Sequence, residues 1–246
     1  MIRYAYRPEK GLTMERLKRS KDRKVANSLT AKGGVRIANS FGLPAGREYS
    51  CPAATSVCSK ICYAGKLEKV YKGVKENLLH NWNYLKDASL DRQIELLDES
   101  ITAFEAECDK WEANKDFRIH WDGDFFSGQY TMAWAEVIKR HPSVTFWVYT
   151  RVEAAAYQLK DLENLTLYFS TDSENFEAAE RVARAGIKLA GLHDTFRQVK
   201  DMLVTIGERA AVCPEQRGQI DLVGACTSCR ICLKGQANIA FSITKR

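Results

Sequence analysis

The sequence predicts an α/β fold: a partial (β/α) barrel of mostly parallel strands with a cysteine-rich, metal-binding segment near the C-terminus. From residue 116 onward, short runs rich in β-branched and aromatic residues alternate with amphipathic segments at helical spacing, which is typical of parallel sheets. Unusual polar residues and cysteines follow those runs, where parallel α/β folds bind their ligands. The length of 246 residues is sufficient for one core without cross-links, and no apolar stretch reaches the roughly 18 residues of a membrane span.

The predicted elements follow one another along the chain. A short strand at residues 35–39 precedes a loop rich in glycine and proline at 41–50, and helices follow at 66–85 and 88–112. The later predicted strands are 117–121, 144–149, 165–169, 187–190, 209–212 and 237–243, and the predicted helices between them are 130–140, 154–159, 176–185 and 196–203.

Charge and cysteine content indicate three parts: a basic N-terminal arm at 1–24, an α/β body at 25–205, and a cysteine-rich segment at 206–246 packed on the same domain. The arm holds nine basic and three acidic residues, which gives +6 and equals the net charge of the whole chain. Such an arm can attract the phosphates of a nucleic acid or nucleotide, and the alternative is a solvated terminus. The first residues show no export pattern, so we expect a cytoplasmic protein with reduced cysteines and no membrane partner.

Three cysteines, Cys51, Cys58 and Cys62, fall within twelve residues at the spacing Cys-x6-Cys-x3-Cys. Their thiolates can converge on one centre, and no fourth cysteine lies nearby in the sequence. A [4Fe-4S] cluster held by three sulfurs would keep one iron open for a small molecule, whereas structural zinc sites normally have four closed ligands. The alternative is a set of thiols that binds no metal.

A second group, Cys226, Cys229 and Cys232, has the Cys-x2-Cys-x2-Cys spacing of bacterial ferredoxins. Cys213, which precedes a proline, can supply a fourth thiolate. A closed [4Fe-4S] cluster is the favoured interpretation, and structural zinc is the alternative metal because four thiolates also suit zinc. The eighth cysteine, Cys108, lies alone in a predicted amphipathic helix and is interpreted as a core thiol.

Polar residues directly after the predicted strands are the candidate catalytic and ligand-binding side chains. Gly123 permits a tight turn, and Asp124 after it can bind an ammonium group, act in acid–base chemistry, or serve only in a turn or cap. Arg151 can bind a carboxylate or phosphate, or form a surface ion pair. Ser170 and Asp172 can hydrogen-bond a ligand or cap the next helix.

Several blocks of the sequence resemble the gene-product-eighty-eight family of bacteriophage proteins. They are residues 41–46, the cysteine block 51–64 with Tyr63, the segment 123–127 that ends at Ser127, the tripeptide 149–151 and the C-terminal cysteine run. The match covers about residues 35–235 in separate blocks. It implies a phage or prophage origin, and hence the cytoplasm of a host cell as the location.

The chain also resembles, more distantly, the radical S-adenosylmethionine enzymes, which are partial barrels with a three-cysteine loop after the first strand. The cysteines of 51–62 match that loop by position, although the usual spacing is Cys-x3-Cys-x2-Cys and Gly65 stands where a cysteine would follow. In those enzymes an acidic, glycine-containing motif after the second strand holds the amino group of the cofactor. Gly123 and Asp124 are similar to that motif.

The resemblance implies an iron–sulfur protein that binds S-adenosylmethionine at an open cluster and takes electrons from an external donor. The implied cofactor-binding residues are Tyr63, Gly123, Asp124, Ser127 and Ser170, and the implied catalytic residues are Asp124, Arg151 and Asp172. The alternative is a non-catalytic protein, stabilised by iron–sulfur or zinc centres, that binds nucleic acid or a host partner.

Overall fold

A computed structural model describes residues 16–21, 24 and 32–244 of the chain. The strands of its sheet are β1 (Ser40–Gly42), β2 (Asp116–Asp122), β3 (Thr145–Thr150), β4 (Leu165–Thr171), β5 (Lys188–His193), β6 (Ala210–Val212) and β7 (Asn238–Ser242). Their order in the sheet is β1-β2-β3-β4-β5-β7-β6, and every neighbouring pair is parallel. The predicted α/β class with parallel strands is therefore confirmed.

Most of the helices lie against one side of the sheet. The α-helices are α1 (Ser56–Ile61), α2 (Tyr63–Val70), α3 (Lys72–Leu85), α4 (Leu90–Lys110), α5 (Gly128–Arg140), α6 (Glu153–Leu159), α7 (Phe176–Arg184), α8 (Phe196–Val204) and α9 (Ala225–Cys229). Helices α4 to α8 share a single apolar core with the sheet, which includes Phe104, Trp134 and Val182. Strands β1 to β5 lie side by side in the same order as in the chain. Because connections between parallel strands are right-handed, the helices that join them lie on the same side of the sheet. None of the described helices is both long and apolar enough to span a membrane.

Alternation along β3 separates the two faces of the sheet. Phe146 and Val148 belong to the helix-side core, whereas Trp147 and Tyr149 face the other way. The cysteine-rich segment covers that second face, because Leu233 packs on Trp147 and other residues of the segment surround the same side chains. The segment therefore contributes to the apolar packing of the sheet.

The prediction of a first strand at residues 35–39 is wrong in position. The strand lies three to five residues later and runs into the stretch predicted as a loop from residue 41; Ser40 pairs with Arg118 and Gly42 with Asp122. Ile37 is fully buried but lies outside the ladder. The pairing partner, rather than the local preference for β structure, thus determines where this edge strand begins.

The prediction of one helix at 66–85 is also wrong, because α2 and α3 are separated at Tyr71. That residue has an extended backbone, with φ −114° and ψ 101°. Val70 and Tyr71 are weak helix formers, and Gly73 follows them in the next turn, so a break costs little here. The helix before the break begins at Tyr63, three residues earlier than predicted.

Only part of the predicted basic arm lies within the described residues. Leu17 is buried in the main core, and Ser20 forms a bridge to Ser40 at the edge of the sheet. Arg19 pairs with Glu107 at 3.0 Å and donates to the Ala38 carbonyl at 2.8 Å. The described part of the arm is therefore packed on the body, and residues 1–15 and 22–23 lie outside the described residues.

Candidate functional site

Asp124 connects the loops that follow β2 and β3 at the carboxyl edge of the sheet. Its Oδ1 accepts hydrogen bonds from Thr150 Oγ1 at 2.6 Å and from the Phe125 amide at 2.8 Å. Its Oδ2 accepts one from the Arg151 amide at 2.8 Å. Asp124 and Arg151, which the sequence places after successive strands, are direct neighbours in the structure.

The electrostatics of Asp124 combine burial with strong hydrogen bonding. Burial raises the pKa of its carboxyl group, while the donors Arg151, Thr150 and Phe125 lower it. A carboxylate offers about four lone-pair positions, and these donors fill three of them. Among the residues that the structure describes, no other donor reaches Oδ2, so one acceptor position there is left for a further donor.

Gly123 makes the tight turn that leads into Asp124. Its φ of 82° lies in the left-handed region. A Cβ atom at this position would lie 2.9 Å from the Leu43 carbonyl oxygen and 2.5 Å from Ser50 Oγ. The glycine thus allows the segment that leads into Cys51 to approach the end of β2.

Arg151 and Asp172 form a buried ion pair, with 2.8 Å between Nη1 and Oδ2. Thr55 Oγ1 donates to the same Oδ2 at 2.7 Å and accepts from the Cys58 amide at 3.0 Å. The ion pair therefore fixes the start of α1, the helix that carries Cys58. Sequence reasoning missed Thr55, although a threonine three residues before Cys58 was a possible N-cap signal.

A second, exposed contact holds the same end of α1. The Ser56 amide donates to Glu174 Oε2 at 2.8 Å, and the Ser56 hydroxyl donates to the other carboxylate oxygen. These hydrogen bonds lower the pKa of Glu174. The three-cysteine loop is thus attached to the loop after β4 by one buried and one exposed contact.

The thiols of the first cysteine group lie near buried carboxyl groups. Burial raises the pKa of Cys51 to about 12, and the charges of Asp124 and Asp122 act in the same direction. Burial also raises the pKa of Cys62, as do the charges of Asp122 and Cys58. Cys51 and Cys62 therefore hold their protons at neutral pH, and a bound metal ion would have to displace them.

The three-cysteine loop offers donor atoms of a type that metals bind, but the donors are not already arranged around a metal position. Across residues 16–21, 24 and 32–244, no three His, Cys, Asp or Glu side chains are arranged as a ready metal site. Cys58 and Cys62 are close enough for their charges to interact, and Cys62 Sγ accepts a hydrogen bond from the Gly65 amide at 3.3 Å. Several thiols in one loop are the donor set that iron–sulfur clusters and zinc take.

Glu68 of α2 is a further acid beside these thiols that sequence reasoning missed. Burial raises the pKa of Asp122 to about 8, and Glu68 acts in the same direction because two adjacent carboxylates repel each other. Glu68 Oε1 accepts from the Ala45 amide at 2.9 Å, and Asp122 Oδ1 from the amide of the next residue at 2.8 Å. In the sequence, Glu68 lies among the lysines of an amphipathic segment, which is typical of a solvated helix face.

The second cysteine group lies among aromatic side chains on the face of the sheet that is opposite the helices of the main core. Burial raises the pKa of Cys232 to about 11; a hydrogen bond from Tyr149 lowers it, and Cys213 and Cys229 raise it. Tyr149 is also close to Cys226. The four cysteines predicted as ligands therefore share one neighbourhood.

One backbone hydrogen bond and one side-chain ion pair position the helix of this second group. The Cys226 amide donates to the Lys24 carbonyl at 2.8 Å. Arg230, which ends α9 with a φ of 55°, forms an ion pair with Asp116 at 2.6 Å. The segment is thus attached to the start of β2 as well as to the aromatic face.

The remaining predicted residues have local partners. The Tyr63 hydroxyl donates to the Trp121 carbonyl at 2.9 Å. Ser127 caps α5, and the Ser170 carbonyl accepts from a side-chain amide in the loop after β4 at 3.0 Å. Their roles as cofactor-binding residues stay predictions. Cys108 is a buried core thiol, as predicted.

The fold and the two cysteine groups define a parallel α/β protein with thiol-rich segments on the carboxyl edge and on one face of its sheet. The chain belongs to the gene product 88 family, whose model matches residues 15–235. The predicted phage family is thereby confirmed.

Two relatives come from mycobacterial phages. The Gene 88 protein of Mycobacterium phage L5 is 49% identical over 243 residues, which cover 95% of this chain and the whole relative. The Gene 88 protein of Mycobacterium phage D29 is 48% identical over 244 residues, with the same coverage. No solved structure is significantly similar to this chain.

Proposed function

We propose that this protein is an iron–sulfur protein of the radical S-adenosylmethionine type that works in the cytoplasm of a phage host. In this proposal Cys51, Cys58 and Cys62 hold a cluster with one open coordination position. The observation that carries it is the position of their loop at the carboxyl ends of β2 and β4, the edge where parallel α/β folds bind ligands. A second, closed centre would be held by Cys213, Cys226, Cys229 and Cys232.

The strand order supports the finer proposal of a partial barrel. Strands β1 to β5 neighbour one another in chain order, and their connecting helices share one core on one side. When all the helices cover one face of a sheet, the sheet can curve so that its other face encloses a ligand or a covering segment. In this protein the cysteine-rich segment packs on that face.

The residues at the edge would bind and orient the cofactor. Asp124 Oδ2 has one acceptor position left for the amino group of S-adenosylmethionine. Asp122, whose pKa burial raises to about 8, would hold a proton beside the thiol loop, and Arg151 with Asp172 would keep α1 in place. A bound open cluster would supply one-electron reduction of S-adenosylmethionine, with electrons from an external donor. Tyr63, Gly123, Ser127 and Ser170 would complete the cofactor pocket.

A second candidate is a metal-stabilised protein without catalysis, in which zinc is the alternative metal. The observation that favours it is that Cys232 and Leu233 of the second cysteine group's segment pack on the apolar face of the sheet, where a metal would stabilise packing and take no part in a reaction. The second cysteine group would then only stabilise the packing of the cysteine-rich segment on the sheet.

Metal analysis with matched variants separates the two candidates. The protein is purified without oxygen as wild type, Cys58→Ser/Cys62→Ser and Cys226→Ser/Cys229→Ser, and iron, acid-labile sulfide and zinc are measured. The first candidate predicts iron and sulfide in the wild type, with a partial loss in each double variant. It also predicts 5′-deoxyadenosine from wild type with S-adenosylmethionine and dithionite, and none from Cys58→Ser/Cys62→Ser. Zinc alone, or no product from a fully loaded protein, contradicts it.

A further inference from the structure

Helices α2 and α3 present exposed lysines beside the three-cysteine loop. The lysines are Lys66, Lys69, Lys72 and Lys75. Lys66, Lys69 and Lys75 form no ion pair with any residue that the structure describes, and Lys72 has a 3.7 Å contact with the exposed Glu76. Glu68 does not neutralise them, because its carboxylate turns inward to the Ala45 amide. This surface therefore carries a local excess of positive charge.

Exposed aromatic rings lie at the start of α2 and at the break between α2 and α3. The side chain of Tyr63 is 50% exposed and that of Tyr71 is 56% exposed. The Tyr63 hydroxyl is bonded to the Trp121 carbonyl at 2.9 Å, so its ring is held in place while half of its surface faces solvent. A fixed, exposed ring is a stacking surface for a planar group, and little conformational entropy is lost when one binds.

Helical spacing brings the two kinds of side chain together. Tyr63, Lys66 and Val70 follow one another at intervals of three and four residues, so they share one face of α2. Lys69 lies three residues after Lys66 and so neighbours it on the helix surface. Tyr71 follows the last residue of α2, at the break before α3. We call Tyr63, Lys66, Lys69, Tyr71 and Lys75 the lysine–tyrosine surface.

We propose that the lysine–tyrosine surface binds single-stranded nucleic acid. Free ammonium groups neutralise backbone phosphates, and exposed tyrosine rings stack on unpaired bases, a combination typical of proteins that bind single strands without sequence preference. A duplex hides its bases, so it would use the lysines but not the rings. The proposal does not depend on a metal at either cysteine group.

The packing of α2 argues against a membrane surface as the partner. The apolar residues Ala64 and Leu67 face inward, where they pack with Trp121 and Leu78. A helix that lies in a membrane interface needs its apolar face free for the lipid. The outer face of α2 offers mainly lysines and the single aliphatic residue Val70.

Arg19 and Lys24 of the N-terminal arm are weaker candidates for the same partner. Arg19 is engaged by Glu107, and Lys24 by Glu215 at 2.6 Å. Their charges are already matched by carboxylates of the protein body. Within the described residues no carboxylate pairs with the lysines of α2, and Lys66 lies one turn from Cys62, so a bound strand would also reach the edge that holds the candidate site.

Binding is tested with the full-length protein and a fluorescently labelled 20-nucleotide single-stranded DNA, by anisotropy at 50 to 200 mM salt. The variant Lys66→Glu/Lys69→Glu is compared with Lys139→Glu/Lys200→Glu, which makes the same charge change at exposed positions of α5 and α8. We expect the first variant to weaken binding at least tenfold and to lower the salt slope by about 1.4, at about 0.7 per phosphate contact. We expect the control variant to change affinity less than twofold.

The aromatic contribution is tested with Tyr71→Ala, for which we expect at least fivefold weaker binding to the single strand and unchanged binding to a duplex of equal length. Circular dichroism and thermal unfolding establish that each variant folds as the wild type does. Equal losses in the two lysine variants, equal loss for duplex and single strand with Tyr71→Ala, or binding only to anionic phosphatidylserine vesicles would each overturn the proposal.

Discussion

The two cysteine groups are attached to the same sheet by opposite means. The first group lies on a loop that is held at the carboxyl edge by hydrogen bonds and one ion pair, with Thr55, Arg151 and Asp172 at the centre. The second group lies on a segment whose Leu233 packs against Trp147 on a face of the sheet. The first attachment is mainly polar, whereas the second is mainly apolar, with the Arg230–Asp116 ion pair added to it.

The difference indicates a division of roles. A loop held by a few directional contacts can change its thiol geometry without disturbing the core, which suits a site that accepts a ligand. A segment that covers apolar side chains cannot detach without exposing them to water, which suits a stabilising centre. We therefore expect loss of the second group to affect folding, and loss of the first to affect binding.

The largest expected effect comes from removing ligands of one group at a time. Cys226→Ser/Cys229→Ser should lower the free energy of unfolding by at least about 3 kcal/mol, because a structural metal contributes its binding energy to folding. Cys58→Ser/Cys62→Ser should lower it by less than about 1 kcal/mol. Urea denaturation of the anaerobically purified proteins measures both values. Equal losses in the two variants would contradict the division of roles.

A smaller effect separates the two contacts that hold the three-cysteine loop. Asp172→Asn leaves the Arg151 guanidinium buried without its charged partner, which should cost about 3 kcal/mol of stability. Glu174→Gln weakens an exposed contact to Ser56 and should cost less stability than Asp172→Asn, because solvent screens an exposed contact. Urea denaturation measures both values.

The double variant Arg151→Met/Asp172→Leu serves as the control for this pair. It removes both charges together, so it should lose less stability than Asp172→Asn alone. If the double variant is the less stable of the two, the ion pair stabilises the loop through more than the avoidance of an isolated charge.

The α/β class and most strand positions could be predicted because each strand is a short β-branched or aromatic run between clear breakers. Thr145–Thr150 and Leu165–Thr171 begin within one residue of their predicted starts. The edge strand could not be placed, since its pairing with Arg118 depends on a contact 78 residues away in the chain. The break at Tyr71 was missed because apolar periodicity continues across it.

The candidate site could be predicted only where local sequence determines geometry. Strand ends placed Asp124, Arg151 and Asp172 on one edge, and the structure brings the three together. Glu68 was missed, because its inward turn depends on the Ala45 amide and on Asp122, both remote in sequence. Periodicity shows which face of a helix is polar, but not which of its acids a distant loop will bury.

The smallest expected effect is on the pH dependence of stability, and it comes from His120 near the end of β2. This residue lies where the polar edge of the sheet meets the apolar core. Burial, together with the charge of Arg118, lowers the pKa of this histidine from its usual 6.5 to about 3. Between those two values the unfolded chain binds a proton that the folded protein does not, so stability falls as pH falls. The contribution of His120 is about 1 kcal/mol per pH unit between pH 6 and pH 4.

His120→Gln removes this titration and retains a side chain that can bond to the Tyr130 hydroxyl, which lies 2.9 Å from Nε2. Its free energy of unfolding should therefore decline less steeply than that of the wild type, by about 1 kcal/mol per pH unit, in urea denaturation at pH 6, 5 and 4. The control Tyr130→Phe removes the hydrogen bond but keeps the imidazole, so its pH slope should match the wild type at a lower overall stability. If His120→Gln keeps the wild-type slope, His120 is protonated in the folded protein, and the polar environment of the edge extends further along β2 than the packing of this residue indicates.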